Sequence, residues 1–323
     1  MDLIYTDSRR IDQGVLTAYS LDLSFGENAS ENDFELTLSI KDVKLEDNSV
    51  IYFEGTEYGG IVGGLKTNSE FETRTYIGRT WHGLLNDKVI EPNPGEGHLV
   101  VSGDANEVLG FLIARLGLSA LFRAASNSSG VNIQKHQFDR YCKGYDGIRT
   151  MLAESGGKLK IRWEEGSVIL YAEHISNDED SKIDNDVAHL AVERHGNKVN
   201  HLICLGQGEL AEREVIHLYV DQFGRIGNVQ YFTGLDEIAD VYDYGSAQST
   251  DDLRNSGIKH LKELRKNDKV DVSVNDSSEI VYDIGDMIFA NDVNSGNSGS
   301  ATVVQKIVKI KNGTINIEYK TGG

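Results

Sequence analysis
The sequence predicts an α+β, β-rich protein, and three observations carry that reading. Through the first ninety residues apolar and polar side chains alternate with period two, the pattern of strands with one buried face. Helical spacing of apolar residues appears only in short stretches near residues 104–116, 145–154 and 249–264. The chain closes on two more alternating runs joined by Asn312-Gly313, a type I′ hairpin signal.

The 323 residues are 39% hydrophobic and carry 51 acids against 32 bases, a net charge of -19. That length suggests several domains of about 100–200 residues each, and the apolar content is enough for packed cores. The acid excess argues against specific nucleic-acid binding, which needs a basic face to meet phosphates. No apolar run approaches the ~18 residues of a membrane-crossing helix, so no membrane is expected as a partner. The N-terminus (Met1, Asp2, Leu3, Ile4, Tyr5) lacks the basic-then-apolar pattern of a signal peptide. Cys142 and Cys204 lack metal-ligand spacing and read as ordinary thiols of a chain folded in a reducing cytoplasm.

Each element has its own local cause. Leu21, Leu23 and Phe25 mark one strand; Phe34, Leu36, Leu38 and Ile40 mark the next, across a polar turn. Ile51–Phe53, Gly59–Leu65 and Thr73–Ile77 continue as short strands, which together suggest a small barrel or sandwich. Pro92 and Pro94 sit in a connector and mark a plausible domain boundary. Asp104 with Glu107 resembles a capping box; Val108, Leu109, Leu112, Ile113 and Leu116 then share one helical face, and Gly117 is a natural stop. A second helix over Tyr145–Glu154 sets Ile148, Met151 and Leu152 on one side. In the hairpin that follows, Leu159, Ile161 and Trp163 alternate with Lys158, Lys160 and Arg162 ahead of a Glu165-Gly166 turn. Strands resume at His189–Glu193, Val199–Leu205 and Val215–Val220, and Ser249 with Asp252 opens a third helix carrying Leu253, Ile258, Leu261 and Leu264. In the closing hairpin Ile310 faces Ile315 and Val308 faces Ile317, so turn and register agree.

Candidate chemistry is sparse. Gly206-Gln207-Gly208-Glu209-Leu210-Ala211 matches a dinucleotide fingerprint, but that site needs a helix next, and Val215–Val220 reads as a strand. A glycine loop between antiparallel strands is the better reading. His189, His195, His201 and His217 lie in one β region without the spacing of a metal site. The acidic loop at 177–186 fails the calcium-loop pattern, since Ile183 and Lys182 stand where an EF-hand needs glycine and oxygen ligands. Glu164 and Glu165 fall in a turn, a poor place for a general acid. Cys142 near His136 reads as a buried inert thiol rather than a nucleophile. No catalytic residue, metal ligand or cofactor is assigned.

Two segments carry a family resemblance. The first is Asn32-Asp33-Phe34-Glu35-Leu36, followed by a strand through Gly78-Arg79-Thr80 to Gly83-Leu84-Leu85. The second is Asp283-Ile284-Gly285-Asp286-Met287-Ile288, a glycine-rich turn, Val303–Ile310 and Ile315–Lys320. Asn200–Gly206 with Arg213 fits the same pattern. In this order they resemble the hub proteins of bacteriophage tails, of PBSX-like contractile tails and related tailocins, similar in fold to the T4-type central baseplate hub. The resemblance implies two tail-tube-like β-barrel domains with smaller α/β units in a homotrimeric ring. Residues 1–95 would form the N-terminal barrel domain, 96–176 a small α/β domain, 177–247 a β extension packing with the barrels, and 248–323 a helix plus the C-terminal barrel portion. It further implies a non-enzymatic adaptor at the tail baseplate, joining a six-fold tail tube protein above to a three-fold spike protein below. A tape-measure protein and baseplate wedge proteins would be its neighbours. Many such hubs carry an added wall-hydrolase domain, for which a chain ending at Gly323 leaves no room.

The acid excess then gains a place. Between Ile226 and Leu253 stand Asp236, Glu237, Asp240, Asp243, Asp251 and Asp252 with no lysine or arginine. Asp178, Glu179, Asp180, Asp184 and Asp186 crowd the other acidic loop. One or both stretches are expected to face a lumen or a partner; the alternative use of the charge is solubility before assembly. Two other function classes stay open: a cell-wall hydrolase with paired carboxylates, and a receptor- or carbohydrate-binding tail module using Trp81 and Trp163, both read as strand-face residues with core packing as their simpler use.

Overall fold
The computed structural model describes residues 2–27, 31–68, 70–175, 183–184, 189–193, 198–221, 226–265, 269–274, 282–292, 297–311 and 313–322. The chain divides into unit 1, Met1–Leu190 with Asp271–Thr321, and unit 2, Ala191–Val270 with Gly322–Gly323.

Unit 1 opens with β1 (Leu3–Thr6), β2 (Asp12–Leu16), β3 (Ser20–Gly26), β4 (Asp33–Ser39), β5 (Val50–Tyr52), β6 (Gly59–Asn68) and β7 (Thr73–Thr80). Period two holds: Leu21, Leu23 and Phe25 on β3 and Phe34, Leu36 and Leu38 on β4 are all buried. Phe34 lies across β6 and β7 and requires glycine there, because a Cβ on Gly78 would stand 2.6 Å from its ring and 2.1 Å from the Ile61 carbonyl oxygen. The strand expected to continue through Leu85 stops at Thr80. The Thr80 side chain accepts the Gly83 amide and caps α1 (Trp81–Asn86). Fully buried Trp81 anchors that turn, so this tryptophan sits on a helix and not on a strand.

After β8 (Val89–Ile90) come β9 (Val100–Asp104), α2 (Ala105–Arg115), β10 (Phe122–Ala124), β11 (Asn132–Gln137), β12 (Cys142–Lys143), α3 (Gly144–Glu154), β13 (Gly157–Glu164) and β14 (Ser167–His174). Asp104 caps α2 through the Asn106 amide at 2.9 Å, and Gly117 just past its end takes φ 71°. Glu165 and Gly166 both have positive φ, which gives the β13–β14 turn the handedness that matches strand twist. Trp81, Trp163 and Tyr52 stack in series, with ring centroids 5.3 and 4.4 Å apart. They join α1 and β13 to a core made chiefly of α2, α3 and the β13–β14 hairpin.

Beyond β15 (Ile183–Asp184) and β16 (His189–Glu193), unit 2 holds β17 (His201–Leu205), β18 (Val215–Val220), β19 (Ile226–Gly227), β20 (Ala239–Asp243) and α4 (Thr250–Leu264). Its sheet order is β19-β18-β17-β20, with β17 antiparallel to β18 and parallel to β20. The Ser249 hydroxyl accepts the Asp252 amide at 3.1 Å and the Asp252 carboxylate takes the Gln248 amide at 2.9 Å, a reciprocal cap of the kind the sequence signals. Leu253 and Leu261 of α4 bury against Leu202, Cys204 and Leu218. Gly257 permits that approach, since a Cβ there would lie 2.5 Å from the Cys204 Sγ.

The chain returns to unit 1 through β21 (Lys269–Val274), β22 (Met287–Asp292), β23 (Asn297–Lys311) and β24 (Thr314–Gly322). Asn312 lies outside the described residues; Gly313 beside it takes φ 83°. β23 lies antiparallel on β3, setting Ile310 opposite Leu21 and Val308 opposite Leu23. The main sheet therefore runs β21-β24-β23-β3-β4-β7-β6-β5-β1-β2, joining the first and last strands of the chain. It curls as a half-barrel around a second core that includes Leu21, Phe25, Phe34, Val308 and Ile310.

Where the two cores of unit 1 meet, the sequence hides a feature. Lys158 and Lys160, on the face of β13 opposite Leu159 and Ile161, are largely buried. Lys158 Nζ lies 2.9 Å from Asp283 and 2.7 Å from Asp286, and Lys160 Nζ 2.6 Å from Asp283. Lys306 of β23, 2% exposed, reaches Glu57 at 2.6 Å. His82 of α1 places Nε2 3.5 Å from the same Glu57. Burial pushes the Asp283 carboxyl up, but Lys306, Lys160 and Lys158 outweigh it and hold the group well below the usual carboxylate range. Burial likewise opposes the charge on Lys306, and Glu57, Tyr58 and Asp283 reverse that and raise it.

Two outcomes follow. Lys306→Met leaves Glu57 buried without its cation and should destabilise unit 1 by about 3–5 kcal/mol. The double variant Lys306→Met/Glu57→Leu should recover much of that loss, which denaturant unfolding of the four-member cycle measures. Burial holds His82 down at about 4, with Glu57 partly opposing. A depressed folded value means stability present above about pH 6.5 and lost as pH falls toward 4, about 3 kcal/mol in all. His82→Gln should flatten the stability curve across that window; an unchanged slope would contradict the assignment.

Candidate interaction surface
Period two sorts the unit 2 strands onto two faces. One face, with Leu202, Cys204 and Leu218, packs on α4. The other is set by register as three rows: Tyr219, His201 and Ala239; His217, Ile203 and Val241; Val215, Leu205 and Asp243. Val215 is 44% and Val241 54% exposed, so this mostly apolar face is open at those rows, while His201 in the first row is buried. The connection from β19 to β20 must cross the end of the sheet at the first row, and it carries exposed Val229, Tyr231 and Leu235.

The glycine motif ends β17 as a loop, with a 3-10 turn over Leu210–Glu212 and then antiparallel β18, so no helix N-terminus meets a phosphate. The loop instead projects Leu210, 95% exposed and at φ 50°. A bulky side chain in the left-handed region costs roughly 1–2 kcal/mol per residue, and this leucine buries almost nothing in return.

The expected acidic residues separate. Asp178, Glu179, Asp180 and Asp186 lie outside the described residues, and of Asp184 only the backbone, in β15, is described. The other four lie in β20 and the turn before it, where register sets Asp243 on the open face but Asp240 on the α4 face, in the row of Leu202 and Leu218. Asp236 is exposed in a 3-10 turn, and its carbonyl accepts from Asn200 Nδ2 at 2.7 Å. Glu237 accepts from His201 Nδ1 at 2.6 Å, and His201 Nε2 lies 2.8 Å from His217 Nδ1. If His201 keeps its proton on Nδ1, its Nε2 accepts from His217, so the three groups form one directed chain. Asp240 takes the Val241 amide at 2.8 Å, and Asp243 pairs with Arg213. Sequence alone does not bring Glu237 to His201; the parallel pairing of β17 and β20 does.

The remaining candidates do other work. His136 bonds Glu154 at 2.7 Å and not Cys142, whose half-buried thiol is pushed up to about 11 by burial and by Asp139 and Asp146. Cys204 is buried in the unit 2 core. Glu164 pairs with Arg162 at 2.8 Å. Trp81 and Trp163 are both core residues. Among the described residues no group of three His, Cys, Asp or Glu side chains is placed to hold a metal. Leu210→Gly should raise rather than lower the melting temperature of unit 2, because it relieves the positive φ and removes nothing packed; thermal unfolding by circular dichroism reads this directly.

No family model and no curated protein matches the sequence. Solved structures do match along nearly the whole chain. A tail protein from Neisseria meningitidis MC58 is similar at TM-score 0.59 and 12% identity, over 100% of this chain and 96% of that one. The prophage tail protein gp18 from Listeria monocytogenes EGD-e is similar at 0.58 and 13%, over 99% and 94%. The 43 kDa tail protein of prophage MuSo2 from Shewanella oneidensis is similar at 0.62 and 8%, over 99% and 98%. The chain has the fold of these phage-type tail proteins from end to end.

Proposed function
We propose that the chain is a structural hub of a phage or phage-tail-like contractile particle. In this reading two tube-like barrel domains per chain assemble as a homotrimeric ring at the tail baseplate. The ring joins the six-fold tail tube protein to the three-fold spike protein, and touches the tape-measure protein and baseplate wedge proteins. The chain would be made in the bacterial cytoplasm and work without catalysis. The observation that carries the reading is the fold likeness itself: it spans 99–100% of this chain and at least 94% of three tail proteins, with TM-scores of 0.58–0.62. A partial match would fit a grafted module; a match at both chain ends fits a protein of the same build.

One feature supports the role. β3 and β23 knit the first and last strands of the chain into one sheet, which resists pulling the termini apart. In this reading Asp236, Glu237, Asp240 and Asp243 meet a partner or line a lumen, as would the loop of Asp178, Glu179, Asp180, Asp184 and Asp186. Closed rings of like subunits also hide sheet edges that an isolated chain exposes.

Purified particles from a producing strain should contain this chain at half the copy number of a six-fold ring of tube protein. Deleting its gene should leave particles without a joined spike. Mature particles that lack the chain would end the proposal. The purified chain with its spike should run as a trimer by light scattering.

A further inference from the structure
We infer that a cavity on the outer face of β4, β7 and β6 receives a lysine or arginine side chain presented by another protein of the particle. The inference rests on the assembly reading above and names the chemistry of one contact.

Register builds the cavity. Phe34, Leu36 and Leu38 of β4 fill the half-barrel core, so Asp33 and Glu35 stand on the other face. Pairing sets Asp33, Arg79 and Ile61 in one row, and Glu35, Ile77 and Gly64 in the next. Ile61, Ile77 and Leu84 of α1, all half-buried, give the cavity its apolar lining. Its volume of about 480 Å³ is ample for one long side chain and falls within the roughly 300–1,000 Å³ of ligand pockets.

Gly63, also in the lining, is the glycine of this region that packing does not explain. A Cβ on Gly60 or Gly78 would strike the Phe34 ring at 2.8 or 2.6 Å, and one on Gly64 would stand 3.0 Å from Ile77. A Cβ on Gly63 would meet nothing within 4 Å, and its φ lies outside the left-handed region that favours glycine. Gly63 falls at the β6 bulge between Val62 and Gly64. A strand glycine without a neighbour to avoid leaves room for a ligand or a second chain to come close.

Charge selects the occupant. Lys66 pairs with Glu35 at 2.7 Å, and Arg79 with Asp87. Of these three carboxylates Asp33 is the one without an ion pair among the described residues. Burial raises its carboxyl pKa, and the charge of Arg79 across the strand offsets this only in part. An anion entering the cavity would meet Asp33 and Glu35, and a neutral apolar side chain would bury Asp33 further without compensation. A lysine or arginine places its stem on Ile61 and Ile77 and its charge beside Asp33.

The test titrates the ¹⁵N-labelled full chain with three capped tripeptides, Val-X-Val, in which X is lysine, norleucine or glutamate. The lysine peptide should shift the amides of Gly63, Gly64 and Ile77 and bind roughly threefold or more tighter than either of the others. Gly63→Val fills the cavity while suiting a strand, and should weaken the lysine peptide about tenfold with circular dichroism unchanged. Asp33→Asn should remove the preference for lysine over norleucine. No shift at these amides with any peptide, equal binding of all three, or unchanged lysine binding in Gly63→Val would overturn the inference. So would a self-complex of the chain that Gly63→Val dissolves in light scattering, because the basic side chain would then come from a second copy. Absence of the chain from particles, with these titrations intact, would instead remove the assembly reading and leave the chemistry of the cavity standing.

Discussion
Lys158, Lys160 and Lys306 meet Glu57, Asp283 and Asp286 where the two cores of unit 1 come together. β13 gives one face to the α2–α3 core and turns its lysines the other way. β23 gives Val308 and Ile310 to the half-barrel core and places Lys306 beside them. Burying charge is costly, and these charges are tolerable because each has a partner at hydrogen-bond distance. The network adds little by pairing alone. What it adds is position: an aspartate on the 282–286 segment bonds a lysine on β13 only if both cores are docked in one way. Breaking one ion is therefore costly, while replacing a matched set need not be.

Unit 2 follows a different rule. Its core is small, closed on one side by α4, and its other side is left open. Gly257 brings α4 so close to Cys204 that this side is settled by packing, and the open face is free to differ. The Glu237–His201–His217 chain fixes one end of that face and the Arg213–Asp243 pair the other. An exposed apolar face with protruding leucines is compatible with the assembly role proposed above.

Local signals were legible in the sequence wherever a residue acts on its own turn. The caps at Asp104 and Ser249, the Glu165-Gly166 hairpin and the period-two burial of β3 and β4 all follow from neighbours within a few positions. The helix at Trp81–Asn86 was not legible, because its apolar residues also suit a strand and one hydroxyl, Thr80, tips the balance. The lysines of β13 alternate as a solvent face would; only long-range pairing with Asp283 and Asp286 reveals them as buried. Leu210 hid inside a motif whose glycines drew attention to phosphate chemistry. Its exposure depends on the loop between β17 and β18, which spacing cannot supply. The acidic residues were legible as a cluster, but only the register of β20 on β17 separates them, with Asp243 on the open face and Asp240 on the α4 face.

Native-state hydrogen exchange on the full chain, compared with Asp283→Asn, tests the coupling of the two cores most directly. Amides of β3 and β23 in one core and of β13 and β14 in the other should lose protection together and by similar free energies in the variant. Unit 2 amides on β17 and β18 should keep theirs. Loss confined to one core, with the other unchanged, would contradict the account, because the buried ions would then serve a single core and not the junction of two.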